Sequence, residues 1–428
     1  MRISTASFLM LCLLVISNQV ASESAIDVDF SGSYRLRYEA LNNPIFPTTT
    51  DIRSQSNQRL SSRLFIKADA VLSKHVGVTV EVGDSRVFLD ENDPTLSSNQ
   101  VNTIEPLQFY LTYTANGDGA LQSWRAGRQE VSHGSRRLLS NTIYRNANNM
   151  FDGVVIDWRL LDWNVRTLYL QPVSRLPTDS TLVSNNDRAF DKSYRERALY
   201  GVYATTLDNA LKVQSYWLKE SDSNTLATKN RDLYTLSVDY TFTFSNQWKA
   251  NLEVIGQTGT SHLTRREEDT TPVDVRAYML FGYVGRQISS STFLRAEIDY
   301  ISGDNNNADG TISDFDTLYG VRRFDFGPTD VYQAMPRRNL ATVGVRSISK
   351  PVKSQHIMAA YKAMWYQRTP ADAERFIGHQ VEARWRWQVL PSLRLALGGA
   401  YLHKGEGLKR GDYTDNSMFA FTGALYTF

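Results

Sequence analysis

A single cysteine, Cys12, occurs in 428 residues, and it sits in the apolar N-terminal stretch. Arg2 gives that stretch a positive start, Phe8 to Ile16 is too short to span a bilayer, and Val20-Ala21-Ser22 offers small residues for cleavage. Residues 1–22 are therefore expected to be a secretory signal peptide, leaving a mature chain, 23–428, without cysteine. An exported chain with no disulfide must be held by its hydrogen-bonded sheet and its surroundings. Long apolar runs are also missing after residue 22, and mean hydropathy is -0.37, which excludes helical membrane spans. Neither sign of charge dominates: 47 Lys and Arg stand against 45 Asp and Glu, a formal net charge of +2. Overall charge thus argues for no nucleic-acid partner, and only its placement can be informative. Catalytic patterns are absent too. There is no Gly-x-Ser-x-Gly, no His-Glu-x-x-His and no phosphate-cradling glycine loop with lysine, and the six histidines show no metal spacing.

What the chain has is alternation. In Val28 to Ala40, Tyr34, Leu36 and Tyr38 alternate with Arg35, Arg37 and Glu39; in Arg59 to Leu72, Leu64, Ile66 and Ala68 alternate with Arg63, Lys67 and Asp69. Later segments repeat this: Leu107, Phe109, Leu111 and Tyr113 against Gln108, Tyr110 and Thr112; Leu294, Ala296 and Ile298 against Arg295, Glu297 and Asp299; Val381, Ala383 and Trp385 against Glu382, Arg384 and Arg386. Side chains alternate across a strand, so each segment has one greasy and one polar face. Eighteen such segments are joined by connections that are short and long in turn. The short ones hold Ser73-Lys74-His75, Asn116 to Gly119, Leu161-Asp162, Leu207-Asp208-Asn209, Ser245-Asn246, Ser289-Ser290, Lys350-Pro351 and Leu390-Pro391-Ser392. The long ones include 41–58, 87–103, 131–151, 173–193 and 303–338. This asymmetry predicts an all-β transmembrane antiparallel barrel of about eighteen strands with short periplasmic turns, long extracellular loops and one domain. The 22 Tyr, 19 Phe and 8 Trp suit the aromatic girdles of such a barrel. Its partners are then outer-membrane lipid and, during biogenesis, barrel-assembly machinery, which the terminal Phe428 suits.

The polar faces would line the lumen, and arginine is frequent there: Arg35, Arg37, Arg63, Arg125, Arg159, Arg166, Arg295, Arg384 and Arg386, with Lys67. Rings of arginine favour anions, and the guanidinium fork pairs bidentately with carboxylates. The same residues could instead brace the sheet through Glu39, Asp69, Glu253, Glu297, Asp299 and Glu382. Arg128 is out of phase with Arg125 unless Gly127 forms a bulge. One long connection carries a calcium-type spacing, with oxygen donors at Asn305, Asn307, Asp309, Thr311 and Asp316 and a glycine at Gly310. These five are the candidate Ca2+ ligands; nothing else in the chain calls for a cofactor.

Specific segments resemble the alginate-export outer-membrane porin family. They are Gly127-Arg128-Gln129, Phe151-Asp152-Gly153-Val154 and above all Tyr300-Ile301-Ser302-Gly303-Asp304, followed by Asp309-Gly310 and Phe315-Asp316-Thr317-Leu318-Tyr319. The resemblance implies an eighteen-stranded monomeric barrel whose arginine-lined constriction passes a polyuronate. It makes Arg37, Arg63, Arg128, Arg159, Arg295 and Arg384 the candidate lining, with Glu297 and Asp299 beside them. One departure stands out: the secretory exporter of that family is gated partly by a long periplasmic turn after strand 16, whereas here the connection is Leu390-Pro391-Ser392. The expected function is passive, anion-selective conduction of uronate-bearing oligo- or polysaccharide. Alternatives are a general or small-anion uptake porin and, from other classes, a barrel enzyme or a surface adhesin using the 303–338 loop.

Overall fold

The computed structural model describes residues 26–43, 57–89, 96–117, 119–142, 144–306, 309–327, 337–409 and 414–428. The stretch expected to be a signal peptide, 1–22, lies outside them. The strands are β1 (Asp27–Asn42), β2 (Asn57–Val71), β3 (Val76–Phe88), β4 (Asn102–Thr114), β5 (Leu121–Gln129), β6 (Phe151–Leu160), β7 (Trp163–Pro172), β8 (Arg197–Thr206), β9 (Leu211–Glu220) and β10 (Asp232–Thr243). They continue with β11 (Trp248–Ser261), β12 (Val273–Ser289), β13 (Thr292–Ile301), the two-residue β14 (Thr311–Ile312), β15 (Leu340–Ser349), β16 (Gln355–Trp365), β17 (Phe376–Leu390), β18 (Leu393–Lys404) and β19 (Ser417–Thr427).

Each barrel strand pairs antiparallel with its neighbours in sequence, and β19 pairs back onto β1, closing the sheet. Only β14 stands outside this scheme: it lies in the long connection after β13, pairs parallel with β12, and leaves β13 to pair with β15. Eighteen strands therefore form the wall, and closure removes the unpaired edges that lipid could not satisfy. All eight turns expected from the sequence fall between strands, and the amide of Gly32 in β1 bonds the carbonyl of Phe428, stitching the two chain ends together.

Burial follows the alternation. Tyr34 and Leu36 are exposed on the outer wall, while Arg35, Arg37 and Glu39 are buried inside. On β10, Tyr234, Leu236, Val238, Tyr240 and Phe242 all face outward. Eight residues separate Tyr234 from Phe242, about 27 Å along the strand and about 20 Å of membrane depth at the usual tilt. A row of adjoining rings marks the upper limit of this band: Tyr169 and Tyr200, tilted to each other, at 5.2 Å, then the stacked pairs Tyr200 and Trp217 at 5.0 Å and Trp217 and Tyr234 at 5.6 Å between centroids.

Two details of phase differ from the sequence expectation. Leu107 does not join Phe109 on the outer face. The β3–β4 register shifts between Glu81 and Val82, and this turns Leu107, 3% exposed, inward against Phe65, Met150 and Val173. At Gly127 the ladder runs on without a bulge, the nearest shift lying between Leu121 and Ser123. Gly127 has φ +132°, and a Cβ there would stand 2.3 Å from the Phe109 carbonyl oxygen, so only glycine fits this close approach.

Candidate functional site

Two long connections fold into the lumen. The first, residues 130–150, is anchored at its tip by Asn146. Its amide nitrogen lies within bonding distance of the carbonyls of Ser62, Arg86 and Gln100 at 2.9, 3.1 and 2.9 Å. Its side-chain oxygen accepts from Arg35 at 3.0 Å, and its main-chain carbonyl accepts from Ser85. One asparagine thus satisfies backbone groups of β2, β3 and the 89–101 connection, a role requiring both a donor and an acceptor at the same point.

The other end of this loop is held by charge. Arg137 bonds Glu253 of β11 at 2.7 Å and grips Asp325 at 3.1 and 2.8 Å, with its guanidinium 3.6 Å from the centroid of Phe281. Asp325 belongs to the short helix α1 (Arg323–Phe326) of the second infolded connection, 302–339, and also accepts from the buried Arg337. Burial alone would raise the Asp325 carboxyl, but Arg137, Arg337 and Lys362 outweigh it and hold the group well below the usual carboxylate range. The two loops are therefore locked to each other and to the wall across the lumen.

Beside this plug lies a cavity of about 230 Å³ with an unusual lining. Arg35 and Arg37 come from β1, Arg63 from β2, Arg384 and Arg386 from β17, Arg394 from β18, and Arg136 from the infolded loop. Tyr144 and Phe421 supply its apolar surface, and among the described residues no carboxylate lines it. Arg37 lies 4.1 Å from the Tyr144 ring and contacts the buried Glu39, which Arg59 also bonds at 3.0 Å. Arg63 lies over Phe65 at 4.5 Å, and its buried Nε has no hydrogen-bond partner. Seven cations around one chamber concentrate positive charge on this part of the lumen.

Apart from Glu39, the inward acids Glu297, Asp299 and Glu382 stand away from the chamber and are paired. Glu297 contacts Arg295, Arg346 and Lys362 at 2.7, 2.9 and 3.3 Å. Asp299 accepts from Lys362 at 2.7 Å and from Thr342, and Glu382 pairs with Arg346. Of the residues expected to line the pore, Arg37, Arg63 and Arg384 converge on the chamber. Arg295 is spent on Glu297 beneath Tyr283. Arg128 is clamped by Asp152 at 2.8 Å and Glu105 at 3.0 Å, joining β4, β5 and β6. Arg159 is exposed near the β6–β7 turn, where it bonds Asn164. Sequence reading missed Arg136, Tyr144 and Arg394. Arg394 alternates with Ala396 and was available from strand phase; the two loop residues carry no periodic signal.

Four of the five residues of the calcium-type spacing lie among the described residues. Asp316 is engaged by Arg231 and by the Leu318 amide, Asp309 accepts from the Thr311 amide, and Asn305 donates to the Thr369 carbonyl. Asn307 lies outside the described residues. Among the described residues no group of three or more His, Cys, Asp or Glu is placed to hold a metal. Asp304 organises the loop, accepting from the amides of Asn306 and Ser313.

A closed barrel with an apolar outer band, a polar lumen and infolded loops defines an outer-membrane porin. Solved porins share the fold. OccK8 (OprE) of Pseudomonas aeruginosa superposes with a TM-score of 0.62 at 13% identity, covering 94% of this chain and 98% of that one. A BenF-like porin from Pseudomonas fluorescens Pf-5 gives 0.62 at 10% identity over 94% and 98%. OpdK of Pseudomonas aeruginosa, solved with vanillate, gives 0.58 at 11% identity over 94% and 98%. No curated protein matches the chain in sequence. The sequence profile of the alginate-export family matches residues 26–421, and the chain belongs to that family and to the bacterial outer membrane.

Proposed function

We propose that the channel conducts anionic, uronate-bearing oligo- or polysaccharide by passive diffusion, guided by the arginine chamber. The observation that carries this reading is the set of seven arginines around a cavity that no carboxylate of the described residues lines, while Glu297, Asp299 and Glu382 are paired with Arg346 and Lys362. Guanidinium groups remain charged at any working pH and match carboxylates bidentately. Tyr144 and Phe421 add apolar surface against which a sugar ring can lie. The site is complete within one chain, so the barrel works as a monomer.

A second reading, uptake of small carboxylates, is favoured by the size of the arginine-lined cavity, about 230 Å³. Single-channel conductance in a planar bilayer separates the two. For a uronate channel, guluronate or mannuronate oligomers should block the current in a concentration-dependent way. Arg63→Ala/Arg384→Ala should weaken that block by about tenfold or more, since hydrogen bonds to charged groups contribute about 1.5–3 kcal/mol. Arg295→Ala, already committed to Glu297, should leave it nearly unchanged. Anion-selective current indifferent to oligomers but blocked by small carboxylates would replace the first reading with the second.

A further inference from the structure

On the outer wall, far from the lumen chemistry, the upper row of adjoining aromatic rings stops abruptly. Tyr169, Tyr200, Trp217 and Tyr234 occupy paired positions on β7 to β10; the next two positions are Thr258 on β11 and Arg276 on β12. Two residues further along β11, towards the centre of the apolar band, Gly256 also faces outward, and a Cβ built there meets nothing within 4 Å. The gap is a groove of about 800 Å³ bounded by Tyr234, Leu236 and Tyr278, with Arg276 and Arg368 at its extracellular end and residues of the 302–339 connection over it.

An arginine on the lipid face is tolerated only near the interface, where its charge meets water and headgroups. The Arg276 side chain is 75% exposed and donates to Asp274 at 3.4 Å, an ion pair that solvent screens because Asp274 is exposed as well. The other carboxylate at the groove, Asp309, already accepts the Thr311 amide. Two outward cations at headgroup depth, above a slot missing its side chain, complement a molecule with an anionic head and an alkyl tail. We propose that the groove binds a phosphorylated lipid of the outer leaflet, its phosphate against Arg276 and Arg368 and an acyl chain along Gly256. Tyr234 and Thr258 offer hydroxyls to the headgroup. A free phosphate would leave the apolar slot empty.

Native mass spectrometry of the purified full-length barrel tests this, using bisphosphorylated lipid A and its dephosphorylated form as probes. Wild type should retain one bisphosphorylated molecule preferentially. Arg276→Ala and Arg368→Ala should each weaken retention about fivefold. Gly256→Trp, which fills the slot without a clash, should weaken it as well. All three face away from the lumen and should leave conductance unchanged, which confirms that each variant folds. Equal retention of both lipid forms, or retention insensitive to the arginines, would overturn the proposal. So would a dimer mass abolished by Gly256→Trp, which would make a second copy of the chain the occupant.

Discussion

His133 stacks on Tyr203 at 4.6 Å between centroids, and its Nε2 bonds the Tyr216 hydroxyl, while its buried Nδ1 has no partner. Because the Tyr216 hydroxyl donates to Gln214, the ring fits as the neutral tautomer with its hydrogen on Nε2. Burial, helped by Arg166, pushes its pKa down from 6.5 to about 3. An unfolded chain takes up this proton near 6.5 and the folded one does not, so folding loses stability as pH falls below 6.5 and stops losing it only near 3. Melting temperature should therefore decline just below pH 6.5, before ordinary carboxylates titrate near about 4. His133→Phe keeps the stack and should flatten that first decline. An unchanged slope would show that another group titrates. Similar logic sorts the arginines: Arg295 is neutralised by Glu297, whereas Arg63 lies over the Phe65 ring with its Nε unsatisfied.

Among the elements, the infolded loop 130–150 is held at its two ends by different forces. Asn146 exchanges neutral hydrogen bonds with three separate segments of the wall, and Arg137 forms a buried charge network. Asn146→Ala strands several buried backbone carbonyls and should cost about 1–3 kcal/mol, freeing the tip. Arg137→Met leaves Glu253 short of a partner and should cost about 3–5 kcal/mol, freeing the other end. Both should raise single-channel conductance, with Arg137→Met also lowering the melting temperature the more. Conductance unchanged in both would mean that the loop is not the constriction. The strands themselves were legible because period-two alternation survives wherever one face meets lipid, as on β1 and β10. The phase of Leu107 was not, since a bulge set by the partner strand flips it. Nor was the loop: Arg136 and Tyr144 reach the chamber through tertiary contacts that leave no spacing in the chain. The Asx-rich spacing around Asp309 is ambiguous as a sequence signal because Asp and Asn serve turns as well as cations.

For the whole molecule, the consequence is a lumen with a charged side and a compensated side. The arginines of β1, β2, β17 and β18 gather where no carboxylate of the described residues lines the cavity, while Glu253, Glu297, Asp299 and Glu382 are tied to Arg137, Arg346 and Lys362. Near-neutral total charge therefore conceals a local positive field. The short turn after the sixteenth barrel strand, Pro391 and Ser392, cannot reach across the lumen at about 3.3–3.6 Å per residue, so no periplasmic plug arises there. The channel should conduct without a partner protein. Its selectivity should be electrostatic, and so should fade with salt, because the screening length falls from about 10 Å at 0.1 M to about 3 Å at 1 M. Reversal potentials in potassium chloride gradients should show clear preference for chloride at low salt and much weaker preference at high salt. Arg63→Ala/Arg384→Ala should show little preference at either. Selectivity that held at high salt would instead point to a steric filter formed by the two infolded loops, with the arginines serving to brace them.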